Sequence, residues 1–255
     1  MKGAALVTGA ARRIGAVVAR ALAEDGYAIG VHFQNSAASA EALVVELQEA
    51  GGRAAALQAD LADREAARGL VARCQQALGP VSVLINNAAG FRYDTAAGFS
   101  DADLDYHFLP NLQAPLILAQ EFARALGGAP GAVINFLDHK VTALNPDFFT
   151  YTIAKVALAG ATRTLAQSFG GRIRVNGIAP GITLASGKQS EAGFARAWAA
   201  APLGRSATPQ ELAAAVRYIL ATPSLNGQIL VLDGGESLLA RPRDVAFDPS
   251  LPPIP

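Results

Sequence analysis

The chain has 255 residues, 51% of them apolar, and its 21 basic and 21 acidic side chains cancel to a formal charge of zero. That size and apolar content suit one large α/β domain, and the balanced charge removes any global electrostatic case for nucleic acid or an anionic membrane surface. The single cysteine, Cys74, excludes an internal disulfide and a cysteine-rich metal site; no metal is expected, and the reducing cytoplasm is the expected compartment.

The first apolar run, Ala4–Thr8, breaks at Gly9 and meets Arg12 and Arg13, so it reads as a buried strand rather than a signal peptide. Further strands are expected near Ala28–Phe33, Arg53–Gln58, Val81–Asn86, Gly131–Leu137, Arg172–Ile178 and Gln228–Leu232. Alanine-rich segments of helical period separate them, with Asp63 and Ser100 placed to cap two helices. This alternation predicts a doubly wound sheet of about seven parallel strands with helices on both faces, in one domain over residues 1–240. Residues 241–255, rich in proline, read as an extended tail. No apolar stretch escapes interruption by charged or amide side chains for the length of a membrane span. Between Thr183 and Ala200, a polar segment carrying Phe194 and Trp198 reads equally as a mobile lid or as a surface helix held by two aromatics.

Thr8-Gly9 to Gly15 follows the first strand and opens a helix. Gly9 permits a tight turn, Gly15 permits close helix approach, and the helix N-terminus offers free N–H groups to a pyrophosphate. The second strand ends in His32, Phe33, Gln34, Asn35 and Ser36 with no acid, while Arg12 sits in the loop and Ser36 can donate a hydrogen bond. A 2′-phosphate is thereby favoured, and NADPH is preferred over NADH. Asp60 is placed to accept from an adenine amino group, and Asn86, Asn87 and Ala88 close the fourth strand beside the ribose.

Tyr151 and Lys155 lie one helical turn apart, so phenol and ammonium share a face and the lysine can lower the tyrosine pKa. The pair suits proton donation in carbonyl or imine reduction. Within a helix expected from Asp101 to Leu126, Pro115 offers no N–H to the Asn111 carbonyl, which is then free to hold a water leading toward Lys155. Asp138 is read either as an ionised acceptor for an amino-bearing ring or as a protonated relay to a ring nitrogen. His139 and Lys140 are expected to face solvent.

The motifs Thr8-Gly9 with Gly15, Asp60-Leu61, Asn86-Asn87-Ala88, Asn111, Tyr151 with Lys155, Arg174-Val175-Asn176, Pro180-Gly181 and Asp233-Gly234-Gly235 together resemble the short-chain dehydrogenase/reductase family. The resemblance implies a Rossmann-like fold, with Ile14, Leu61, Pro180, Gly181 and Ile182 also lining the nucleotide site. Arg13 in place of the loop's middle glycine, Ala89, Phe91, and Asp138 at a position usually occupied by serine are similar to the pteridine reductase branch. There, the aromatic at the Phe91 position stacks a flat pterin, and the arginine at the Arg13 position faces both phosphate and substrate. Phe194 is the nearest counterpart of the lid aromatic. The branch implies a pterin-like or dihydrofolate-like substrate and a homotetramer packed through residues 101–126 and 150–169, with Arg241 reaching a neighbouring subunit's pocket. A ketone, quinone or other cyclic imine is the alternative substrate, and a nucleotide-binding sensor without chemistry is the alternative function.

Overall fold

A computed structural model describes residues 2–185 and 190–247. Seven parallel strands form one sheet: β1 (Ala4–Val7), β2 (Ala28–Phe33), β3 (Ala54–Gln58), β4 (Val81–Asn86), β5 (Gly131–Phe136), β6 (Ile173–Pro180) and β7 (Ile229–Leu232). Their order across the sheet is β3-β2-β1-β4-β5-β6-β7, so the direction of winding reverses between β1 and β4. Crevices at the carboxyl ends of strands around such a reversal are where ligands bind in open α/β sheets.

Strand alternation assigns the two cores. Ala5 and Val7 of β1 face one layer, formed by α1 (Arg13–Glu24), α2 (Ala37–Glu49) and α8 (Pro209–Ala221). Ala4 and Leu6 face the other, which contains α3 (Arg64–Leu78), α5 (Ala114–Leu126) and α6 (Phe149–Ser168). Leu118 and Phe122 of α5 are fully buried in that second layer, each worth about 1.5–3 kcal/mol relative to exposure. Gly30 gives Cys74 room, since a Cβ there would lie 2.6 Å from its sulfur. Burial pushes the Cys74 thiol up to about 12, which makes it a packing residue rather than a nucleophile.

Two expected caps form: Asp63 accepts from the N–H groups of Glu65 and Ala66, and Ser100 makes a reciprocal box with Asp103. The helix expected over Asp101–Leu126 is interrupted. It runs as α4 (Asp101–Phe108), one wide turn over Leu109–Gln113, and α5. Pro115 cannot donate to the Asn111 carbonyl, and the ladder accommodates this with a longer-range bond from Ala114 N–H to the Leu109 carbonyl. Arg174 and Asn176 of β6 serve the fold, donating to carbonyls of α8 and of the turn before β7. No helix among the described residues is long and apolar enough to cross a membrane.

Candidate active site

The carboxyl ends of β1, β2 and β4 border an open cleft of about 490 Å³. Its floor is the loop into α1. Gly9 has φ +63°, and a Cβ on Gly15 would lie 2.2 Å from the Gly9 carbonyl, so both positions require glycine. Arg12 precedes α1 without a side-chain cap, leaving the first N–H groups of the helix unspent by any side chain. A pyrophosphate fits that end by charge and hydrogen bonding. Ile14 and Leu61 add apolar wall, and Arg12, Asn35 and Ser36 border the far end together with Asp60 and Ala88. Ser36 begins α2 without spending its hydroxyl on a cap.

His32 lines the same cleft but is buried and has a structural task. Its Nδ1 accepts from the Gly9 N–H at 3.0 Å while Nε2 lies 3.2 Å from the Ala59 carbonyl, an arrangement that requires neutral imidazole with the proton on Nε2. Burial lowers its pKa to about 4, which keeps it in that form. Asn87 donates to the carbonyls of Thr8 and Gly9, tying the end of β4 to the end of β1. Asp60 is engaged locally as well, accepting from the Ala62 N–H.

Arg13, Ile14, Asn87 and Ala89 are shared with a second cavity of about 250 Å³ over the ends of β5 and β6. This cavity brings together Phe91, Asp138, Tyr151 and Lys155, with Pro180, Gly181 and Ile182 along one side. The Tyr151 hydroxyl donates to Asp138 Oδ2 at 2.9 Å, and Lys155 Nζ donates to the Phe136 carbonyl at 2.8 Å. Asp138 Oδ1 accepts the Lys140 N–H at 2.9 Å. Burial would raise the Asp138 carboxyl, but the His139 charge and the Lys140 N–H and ammonium outweigh it and hold the group at about 2.

The lysine does not lower the tyrosine pKa as expected. Burial, reinforced by the neighbouring Asp138 charge, pushes Tyr151 well above its usual value, while burial pulls Lys155 down to about 8. Tyr151 is therefore held in its protonated form. Asn111 lines neither cavity: its side-chain amide exchanges two hydrogen bonds with the backbone of Gly90, fixing the loop that carries Phe91.

Three further expectations are corrected by packing. His139 and Lys140 do not face solvent: the His139 ring sits between Asp138 and Glu236, and the buried Lys140 ammonium pairs with Asp244 at 2.6 Å. Phe194, on α7 (Glu191–Ala199), is not part of the pocket wall. That wall is built instead by Phe148, which stacks on Phe91 with centroids 4.4 Å apart, and by Asp244, Val245 and Ala246 of the C-terminal segment. Residues 186–189 of the segment read as a lid lie outside the described residues, and Arg241 donates to the Ala200 carbonyl of its own chain.

Sequence reading also missed the anchor of α6. His107 Nδ1 lies 2.7 Å from the Thr150 hydroxyl, which in turn donates to Asp94, immediately before Tyr151. A lone histidine and threonine carry no periodic or motif signal that could have revealed this. Phe148 left a faint one, as an aromatic three residues before Tyr151.

A family model described as Enoyl-(Acyl carrier protein) reductase matches residues 9–237, and the chain belongs to the short-chain dehydrogenase/reductase family of oxidoreductases. An uncharacterized oxidoreductase of Methylorubrum extorquens is 33% identical over 91% of this chain and 96% of its own length. The D-threitol dehydrogenase of Mycolicibacterium smegmatis is 32% identical over 92% of each. The crystal structure of FolM alternative dihydrofolate reductase 1 from Brucella canis, complexed with NADP, superposes with a TM-score of 0.90 at 41% identity, covering 93% of this chain and 94% of that one. This likeness supports the pteridine reductase-like branch within the family.

Proposed function

We propose that the protein is an NADPH-dependent reductase of a pterin-like ring, of dihydropteridine or dihydrofolate type. The observation that carries this reading is the 2.9 Å contact between the Tyr151 hydroxyl and an acidic Asp138 in a pocket walled by Phe91. The likeness to a FolM dihydrofolate reductase supports it independently. NADP(H), when bound in the β1–β4 crevice, supplies the hydride. Arg12 and Ser36 favour its 2′-phosphate, with no acid at the end of β2 to oppose it.

The chain's own residues supply position and the proton. Phe91 offers a flat apolar wall, and Arg13 lies on the boundary of both cavities. Tyr151 gives its proton to the ring nitrogen, with Lys155 beneath the phenol, 5.7 Å from the ring centroid. An ionised carboxylate accepts from ring N–H or amino groups but repels the oxyanion that develops when a ketone is reduced.

Helices α4, α5 and α6 leave Tyr106, Leu116, Ile153 and Val156 exposed, apolar surface suited to a partner subunit in a cytoplasmic homotetramer. Sedimentation of the full chain tests that assembly.

NADPH-oxidation assays with dihydrobiopterin, dihydrofolate and a panel of ketones, quinones and cyclic imines test the reaction. Turnover of the pterins is expected; brisk turnover of ketones alone overturns the reading. The likeness to D-threitol dehydrogenase is what favours that rival. A sensor without chemistry would bind NADPH and turn over nothing. For a reductase, Tyr151→Phe should lower kcat by about 10²–10⁴-fold while leaving NADPH affinity intact.

A further inference from the structure

The turn after β5 carries a row of charge that the reaction as described does not use. His139 is only 12% exposed and stands between two carboxylates, with Nδ1 3.1 Å from Asp138 Oδ1 and Nε2 3.8 Å from Glu236 Oε1. Nδ1 makes no well-directed hydrogen bond, so the contact with Asp138 works chiefly through charge. Glu236, held by the turn after β7, is itself buried and has one oxygen without a hydrogen-bond partner. One buried and one partly buried acid flanking the ring make imidazolium its stable form.

The consequence falls on the two oxygens of Asp138. Oδ1 is occupied by the His139 ring and the Lys140 N–H, whereas Oδ2 meets the Tyr151 hydroxyl on the cavity wall. A free carboxyl in such a partly buried place could take up a proton and turn from acceptor to donor, changing which ring edge it recognises. A positive charge behind it prevents this.

We propose that His139 is a positioning residue that locks Asp138 as an ionised acceptor, with Oδ1 restrained and Oδ2 presented to the substrate. His139 thereby sets, through Asp138, the preference for a ring edge bearing N–H donors over a neutral ketone. The part concerning preference rests on the pterin reading; the part concerning Asp138 does not. Other charged groups act on the pair and do not replace His139. Lys140 opposes protonation of the imidazole but also favours ionised Asp138, Lys155 feels the Asp138 charge, Asp233 feels His139, and Asp244 and Arg241 act on Glu236 with opposite sign. Consistently, the imidazole is pushed up to about 9 against a burial effect of opposite sign.

The test is a carbon-13 NMR titration of the substrate-free protein with labelled aspartate and histidine, assigned with Asp138→Asn and His139→Asn. In the wild type, the His139 ring should titrate near 9 and Asp138 near 2. His139→Asn keeps a small amide in place without charge and should raise the Asp138 midpoint by about one to three units. The acid limb of kcat/KM should move up with it, and the ratio of pterin to ketone turnover should fall. An unchanged Asp138 midpoint overturns the proposal. So does a wild-type His139 midpoint at the ordinary histidine value near ~6.5, which needs no variant to fold. If the midpoint shifts but the protein turns over no pterin, the pterin reading fails and the lock on Asp138 stands.

Discussion

Lys140 Nζ lies 2.6 Å from the Asp244 carboxylate, joining the turn after β5 to the C-terminal segment across one edge of the pocket. Arg243 adds a two-pronged pair with the buried Asp147, and Phe247 lies against Tyr93 and Phe148. Residues 244–246 are held against the second cavity by these contacts. Removing one partner of a buried pair leaves the other charge stranded, which costs more than the pair contributes. Lys140→Met should therefore loosen the segment, raising KM for substrate about tenfold, equivalent to about 1.4 kcal/mol, with NADPH affinity unchanged. Hydrogen exchange over residues 241–247 should accelerate in parallel. Unaltered exchange would show that the ion pair does not hold the segment.

Arg13 occupies the left-handed backbone region at φ +56°, where a glycine would be free of strain. Holding a residue with a Cβ there costs on the order of 1–2 kcal/mol. Arg13→Gly should relieve that strain, so the melting temperature without cofactor should stay level or rise. The guanidinium at the boundary of the two cavities is lost, and NADPH affinity should fall about five- to tenfold. Thermal melts and fluorescence titration separate the two effects; a lower melting temperature with unchanged affinity contradicts this assignment.

Gly15 has no room for a methyl group. The added carbon would meet the Gly9 carbonyl at 2.2 Å and the Asn87 amide at 2.7 Å, and both belong to the frame that shapes the phosphate end. Overpacking of this kind costs about 1–3 kcal/mol. Gly15→Ala should lower the melting temperature and weaken NADPH binding at least tenfold, with far less effect on Tyr151, whose helix is elsewhere. Isothermal titration measures the first loss, and wild-type affinity in the variant would refute the cradle.

The Asp138–His139 pair makes stability depend on pH in two opposite ways. Asp138 is more acidic folded than unfolded, so its contribution is present above about pH 4 and is lost as the pH falls toward 2. His139 is more basic folded, so its contribution is complete below about pH 6.5 and is lost as the pH rises through about 9. Lys155, less basic folded than unfolded, gains stability over the upper part of the same range, so His139 is read as a difference: from pH 7 to 10 the melting temperature of the wild type should fall relative to that of His139→Asn. Parallel curves over that interval would exclude a charged His139 in the folded state.

Much of the architecture was legible in the chain because it follows from local rules. Strand boundaries fell within a residue or two of those expected, since alternating apolar residues, capping acids and glycines act over a few positions. Gly9, Gly15, Asn87, Tyr151 and Lys155 could be placed because their spacing is tied to those elements. His139 and Lys140 could not. Polar residues beside an acid in a loop read as solvated, and nothing nearby reveals that Glu236 and Asp244 will arrive from the far end of the chain. Phe194 lies outside the cavity wall among the described residues for the complementary reason: distance along the chain from Pro202 says little about which side of a loop an aromatic will cover.

The order of residues was enough to establish the family, the seven-stranded sheet and the oxidoreductase class, because each depends on short-range spacing repeated in a fixed sequence of motifs. The electrostatic state of the site was a matter of folding. Whether Asp138 is charged, whether Tyr151 is a strong or a weak acid, and which side chains wall the pocket depend on burial and on contacts between segments remote in sequence. Charge and solvation act through space, so those properties came into being only when β5, β7 and the C-terminal segment met.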